Sequence, residues 1–67
     1  MNISNIRHES VNTLTLKIDD TNFRIHGEKE ITKREEPSIR EAVASAGNME
    51  EVAENLSFYN RTITATA

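Results

Sequence analysis

The chain contains no cysteine, which excludes disulfides and every metal site that is built on thiolates. Its two histidines are too few for a closed structural zinc site without carboxylate ligands. No apolar run approaches the ~20 residues that a membrane-spanning helix needs, and the first residues show no signal-peptide core. We therefore expect a cytoplasmic protein with no cofactor, no metal and no membrane segment.

Catalytic motifs are missing as well. The sequence has no glycine-rich phosphate loop and no His-x-x-x-His or Glu-x-x-His spacing, and nothing pairs His8 or His26 with a nucleophile. Asp19-Asp20 is better explained as a hairpin loop, where aspartate is a preferred residue. With 8 basic and 11 acidic residues the formal charge is −3, whereas nucleic-acid binders draw much of their affinity from basic contacts to phosphate. Composition thus argues against an enzyme and makes nucleic-acid binding improbable.

The 67 residues form a single small domain, 1–67, with no room for a second core. A core of this size supplies only ~3–5 kcal/mol, so small folds usually need a disulfide, a metal or a partner. Because the first two are excluded, self-association or binding to a larger protein is the expected support. Residues 1–10 are polar apart from Ile3 and Ile6, so this segment either frays or adds these two side chains to the core.

The most informative stretch runs from residue 14 to residue 25. Apolar and polar residues alternate over 14–18 and again over 23–25, and four polar residues, 19–22, separate the two runs. This pattern predicts a β-hairpin with strands over 11–18 and 22–26.

A loop of residues 19–22 would place Ile18 opposite Phe23 on the apolar face. Lys17 would then lie opposite Arg24, and Thr15 opposite His26, on the polar face. Two cations directly across a strand pair are mildly destabilising, so this pair indicates either a solvated face or a site for an acidic partner.

Gly27 follows the second strand at a natural bulge or turn position. Residues 28–36 carry mixed charges around one apolar residue, Ile31, and are interpreted either as a short third strand or as a solvated loop.

Two short helices are predicted after Pro37. Ser38 with Glu41 forms the pattern of a capping box, and Gly47 is placed to end the first helix. Asn48 with Glu51 repeats the capping pattern for the second helix. Each helix has an apolar stripe at positions i, i+3, i+4 and i+7: Ile39, Ala42, Val43 and Ala46, then Met49, Val52, Ala53 and Leu56.

The tail is rich in β-branched residues, so 61–66 is predicted to be a strand that returns to the sheet of the hairpin. The expected fold is α+β in the order ββααβ, with the helices on one sheet face. We expect one of Phe58 and Tyr59 to fill the core and the other to be exposed. The remaining core residues are expected to be Leu14, Leu16, Ile18, Phe23, Ile25, Ile39, Val43, Val52, Leu56 and Ile63.

One segment also resembles a known DNA-binding motif. The spacing of the helix-turn-helix in the factor-for-inversion-stimulation type of protein is matched at Gly47-Asn48, Ala53, Leu56 and Thr62-Ile63. The resemblance implies a positioning helix over 49–56 and a recognition helix from about Asn60 that enters the major groove. The alternative function is therefore a DNA-binding transcriptional regulator built on 38–67, with a helical rather than an extended 61–66.

The leading hypothesis is a small non-enzymatic module that binds and modulates another protein. In general character the chain resembles the short, cysteine-free accessory proteins of bacteria and their phages, many of which are inhibitors or regulators. Glu50, Glu51 and Glu54 form an acidic ridge, although the helix dipole accounts for the first two. A structural subunit of a homo-oligomer is the third interpretation. The predicted contact residues are Tyr59, Arg61, Glu54, Lys17 and Arg24.

Overall fold

The computed structural model describes residues 2–66, so Met1 and Ala67, the ends of the predicted domain and of the proposed motif, lie outside the described residues. Two helices cover one face of a four-stranded antiparallel sheet with strand order β1-β2-β3-β4. This confirms the α+β class and adds one strand to the predicted order. The elements are β1 (Ile3–Ser10), β2 (Thr13–Ile18), β3 (Thr21–His26), α1 (Glu36–Ala44), α2 (Met49–Ser57) and β4 (Thr62–Ala65).

The N-terminal segment is a strand along one edge of the sheet. Of the two predicted alternatives, fraying is wrong, and the addition of Ile3 and Ile6 to the core is confirmed. Ile3 and Ile6 are three residues apart, a spacing that puts side chains on opposite faces of a regular strand. A register shift between Ser4 and Arg7 inserts one extra residue into β1, and Asn5 there has φ 54°. Because of this bulge, Ile3 and Ile6 both pack against the core.

The hairpin is confirmed, but its register differs from the prediction. Leu16 pairs with Phe23 and Ile18 with Thr21, so the loop is Asp19-Asp20 alone. Asp19 adopts a left-handed φ of 54°, which aspartate tolerates better than most residues. The register moved by two residues, and an even shift keeps every side chain on its predicted face.

The observed register also changes which residues lie opposite each other on the polar face of the hairpin. Lys17 lies opposite Asn22, Arg24 opposite Thr15, and His26 opposite Thr13. The predicted direct pairs of Lys17 with Arg24 and of Thr15 with His26 are therefore wrong.

Helix α1 begins before Pro37, and the predicted capping box at Ser38 is wrong. Proline fits the first turn of a helix because the N–H that it lacks has no helical acceptor there. A turn at Thr32 precedes the helix instead. The Thr32 carbonyl accepts hydrogen bonds from the backbone N–H groups of Glu35 and Glu36 at 3.1 Å. Gly47 does not end the helix in a left-handed conformation, since α1 ends at Ala44 and no glycine has a positive φ.

Helix α2 begins as predicted. The Asn48 side chain accepts the N–H of Glu51, and the Glu51 carboxylate accepts the N–H of Gly47 at 2.8 Å. Val52 and Leu56 are fully buried, whereas Ala53 is exposed and does not belong to the core. No helix within residues 2–66 has the length and apolarity to cross a membrane.

The C-terminal segment is extended, as predicted. Strand β4 pairs antiparallel with β3, with Ile63 opposite Ile25. A recognition helix would need these residues to be helical, so the predicted helix-turn-helix over 38–67 does not form in the described residues.

The core contains most of the predicted residues and three that the predicted core did not include, Ile31, Ala42 and Ala46. Phe23 and Ile63 are only partly buried at its margin. Residues 28–35 form a connecting segment without strand structure, but Ile31 within it is only 3% exposed. Its N–H donates to the Val11 carbonyl at 2.7 Å, which ties this loop to the turn between β1 and β2.

Because Ile31 anchors the loop, shortening its side chain is expected to destabilise the fold. We expect Ile31→Val to lower the free energy of unfolding by about 0.5–1.5 kcal/mol, and Ile31→Ala by about 2–5 kcal/mol. Urea unfolding followed by circular dichroism measures both. The matched control is Val11→Ala, because Val11 is 70% exposed, and it should change stability by less than about 0.5 kcal/mol. Equal effects at the two positions would contradict the assignment of Ile31 to the core.

Candidate functional site

Two aromatic side chains lie on the surface where α2 ends. Phe58 is 79% exposed and Tyr59 is 41% exposed, in a chain with only three aromatic residues. The expectation that one of them fills the core was wrong. The core is closed without them by Val52 and Leu56 of the same helix, which are fully buried.

The turn after α2 fixes the positions of these aromatics. Asn60 has φ 58°, its N–H donates to the Ser57 carbonyl at 3.0 Å, and the Arg61 N–H donates to the Leu56 carbonyl at 3.0 Å. This pair of bonds around a left-handed residue is the Schellman arrangement, which reverses the chain at a helix end. Asparagine is the residue other than glycine that adopts this conformation most readily. Asn60 therefore turns the chain into β4 and leaves Phe58 and Tyr59 directly after the last residue of α2.

A groove between the two helices adjoins the aromatics. It encloses about 550 Å³ and we call it the α1–α2 groove. The Asn55 side-chain amide donates to the Ala42 carbonyl at 2.9 Å across it and holds the helices together. The groove is lined by Pro37, Ser38, Glu41, Ala42, Ser45, Asn55, Phe58 and Tyr59.

The surroundings of this groove are acidic. Residues 41–60 include four glutamates and no lysine or arginine. Glu41 lines the groove, and Glu54 is exposed one helical turn before Phe58. Glu51 is engaged in capping α2, whereas no ion pair within residues 2–66 involves Glu41 or Glu54. The groove thus combines an exposed apolar ring with glutamates that form no ion pair within residues 2–66.

Arg61 does not belong to this surface, although it was a predicted contact residue. Its side chain is 3% exposed, and its guanidinium donates to the carbonyls of Lys29 and Glu30 at 2.5 and 3.1 Å and to the Glu35 carboxylate at 2.6 Å. Among the described residues, its Nε is buried without a hydrogen-bond partner. Arg61 therefore binds the loop internally and forms part of a second groove of about 890 Å³, whose wall includes Tyr59.

Lys17 and Arg24 lie on the sheet face that the helices leave open, away from Tyr59 and Glu54. Arg24 is held by Glu9 through two hydrogen bonds, from Nε at 2.7 Å and from one terminal nitrogen at 3.0 Å. The structure thus divides the predicted contact residues into a pair beside α2, a pair on the open sheet face and a buried arginine.

The sequence held signals for the groove residues that the prediction missed. Phe58 follows Glu54 by four residues, which places both on one side of α2. Asn60 is an asparagine directly after a helical pattern, where a left-handed residue is common. Within residues 2–66, no three histidine or carboxylate side chains are grouped so that they could hold a metal ion.

Comparison of the chain with models of protein families, with curated proteins and with solved structures gave no match.

The close approach of Arg61 to Gly27 gives a test of the internal arginine. A Cβ atom at Gly27 would lie 2.7 Å from an Arg61 terminal nitrogen and 2.9 Å from the Asn60 carbonyl oxygen. We expect Gly27→Ala to lower the free energy of unfolding by about 1–3 kcal/mol, because backbone and a buried side chain must both move.

Gly47→Ala is the matched control for this measurement. Its nearest neighbour would be the Glu51 carboxylate at 3.3 Å, on a side chain that can shift, and we expect a change below about 0.5 kcal/mol. Chemical denaturation measures the free energy of unfolding of both variants. Similar stabilities would show that Arg61 packs loosely against Gly27.

Proposed function

We propose that the chain is a non-enzymatic interaction module of the cytoplasm that binds another protein through the α1–α2 groove and thereby modulates it. The observation that carries this proposal is the exposure of Phe58, 79%, at the rim of a groove. A large aromatic ring gains about 25 cal/mol for each Å² that leaves water, so an exposed ring beside a concavity favours association. Phe58 and Tyr59 would be the anchors of such an interface.

The charge of the groove specifies the chemistry of the partner. Glu41 and Glu54 flank the aromatics without a basic neighbour in residues 41–60. A partner that inserts an apolar side chain between the helices and places lysine or arginine around it would match both features. Such charge complementarity mainly raises the association rate and disfavours acidic partners.

The same charge argues against the homo-oligomer as the use of this groove. A symmetric dimer through the groove would bring Glu41 and Glu54 of two copies together, and like charges across an interface cost binding energy. A partner with a basic surface therefore fits better than a second copy.

The proposal is tested by site-specific photo-crosslinking in cells that normally produce the protein. We expect a photoreactive phenylalanine analogue at position 58 to crosslink one discrete protein, and the same analogue at position 11 to give none. Val11 is the matched site because it is also an exposed apolar residue, at 70%. Purified partner should then lose at least about tenfold in affinity with Phe58→Ser, the change expected for an aromatic anchor.

The contribution of Glu41 and Glu54 to binding is measured with the same purified protein and partner. We expect the double change Glu41→Gln and Glu54→Gln to slow association and to weaken its dependence on salt, with little change in the dissociation rate. The control is Glu50→Gln, because Glu50 lies in the first turn of α2, far along the helix from Phe58. Crosslinking that is equal at positions 58 and 11, or binding that Phe58→Ser leaves unchanged, would overturn the proposal.

A further inference from the structure

The sheet face opposite the helices is open and carries polar and basic side chains. Each row across the sheet on this face is set by the strand register. One row consists of Arg7, Thr15, Arg24 and Thr64, and Lys17 lies two residues from Thr15 on β2. Neighbouring strands are about 4.8 Å apart, so the arginines on either side of Thr15 can both extend toward it.

The bulge in β1 creates this arrangement. Without the extra residue between Ser4 and Arg7, the side chain of Arg7 would point toward the helices. Bulges commonly redirect a side chain toward a site. Here the bulge at Asn5 turns Arg7 onto the open face, beside Thr15.

The open face is concave at this point. A polar groove of about 370 Å³ is lined by Asn5, Arg7, Thr15, Asn22 and Thr66, with Leu16 and Phe23 beneath. The groove therefore offers amide, hydroxyl and guanidinium groups, which are the side-chain types that bind phosphate oxygens.

The open face is positively charged although the protein is acidic. Arg7 lines the groove, and Lys17 and Arg24 lie beside it, opposite the groove residues Asn22 and Thr15. The strand residues on this face include three cations, Arg7, Lys17 and Arg24, and one carboxylate, Glu9, which contacts Arg24, so their formal charge is +2 in a chain of net charge −3. Arg7 and Lys17 have no ion-pair partner among residues 2–66, Asp19 and Asp20 of the adjacent turn included. Arg24 uses Nε and one terminal nitrogen for Glu9, so its other terminal nitrogen keeps its hydrogens for a ligand.

From these features we infer an oxyanion site at Arg7, Thr15, Lys17 and Arg24 that binds a phosphate monoester group. A phosphate monoester carries about −1.5 to −2 charges near neutral pH, which matches the excess of +2, whereas a single carboxylate would leave half of it uncompensated. Guanidinium groups bind such oxyanions through paired, charge-assisted hydrogen bonds.

A long nucleic-acid strand fits this face less well. Single-stranded nucleic acids bind through aromatic stacking as well as charge, and no aromatic side chain lies on the open face among the described residues. The acidic remainder of the protein would also repel a polyanion that extends beyond the groove. The site therefore suits one compact phosphate group.

Nuclear magnetic resonance titration with inorganic phosphate tests the site. We expect saturable shifts of the backbone amides of Thr15, Leu16 and Asn22, which acetate at equal ionic strength does not produce. Arg7→Gln should weaken phosphate binding about tenfold through the loss of a charge-assisted hydrogen bond. Arg34→Gln is the control, since Arg34 is an exposed cation in the loop, and it should leave binding unchanged.

Two further titrations distinguish the source of the phosphate. Ribose 5-phosphate represents small phosphate esters, and a phosphoserine peptide, compared with its glutamate version, represents a phosphorylated protein segment. The probe that binds more tightly than inorganic phosphate identifies the source.

Three results would overturn the inference. The first is that acetate produces the same shifts as phosphate. The second is that Arg7→Gln binds phosphate with unchanged affinity. The third is that an oligonucleotide without a terminal phosphate binds more tightly than any phosphate monoester. The spectrum of the Arg7→Gln variant without phosphate shows whether this variant is folded. If it is not folded, Lys17→Gln is used instead, and we expect the same weakening of phosphate binding.

Discussion

The buried guanidinium of Arg61 joins the parts of the chain that must meet for the surface to form. It follows the turn after α2, precedes β4, and binds the loop carbonyls at Lys29 and Glu30 together with the carboxylate beside α1. An ion removed from water is costly to the fold unless hydrogen bonds replace its hydration. Here three acceptors do so at the terminal nitrogens, whereas Nε has none among the described residues. Without this side chain the loop would lose its hydrogen bonds to the segment that follows α2.

The sheet gives the molecule two chemically different sides. Its apolar face is covered by helices whose outer surface is acidic, and its polar face carries the excess of basic residues. A net charge of −3 conceals this difference, because the cations of the open face, Arg7, Lys17 and Arg24, are outnumbered by carboxylates elsewhere in the chain. The basic partner and the phosphate group proposed above would bind on opposite sides of the sheet and would therefore not compete.

Much of the fold could be predicted from local patterns in the sequence, because alternation and helical spacing report which side chains face the core. The hairpin, the second helix with its Asn48 cap, and the extended C-terminal segment followed from such patterns. The two-residue error in hairpin register arose because an even shift preserves every face. Strand β1 was missed because two register shifts interrupt its alternation. Pro37 was taken as a boundary although a helix accepts proline in its first turn.

The site was harder to predict than the fold. Tyr59 and Glu54 were predicted as contact residues from their residue types and their position along one helix, and the structure shows that both are exposed. The role of Arg61 depends on carbonyl groups about thirty positions earlier in the chain, and no local pattern reports such a contact. The link between α2 and β4 is only residues 58–61, and both of its ends are fixed by hydrogen bonds. The backbone that carries Phe58 and Tyr59 is therefore preorganised, so binding of a partner would not require this segment to become ordered. The lifetime of the complex would then depend on the contacts between the two proteins.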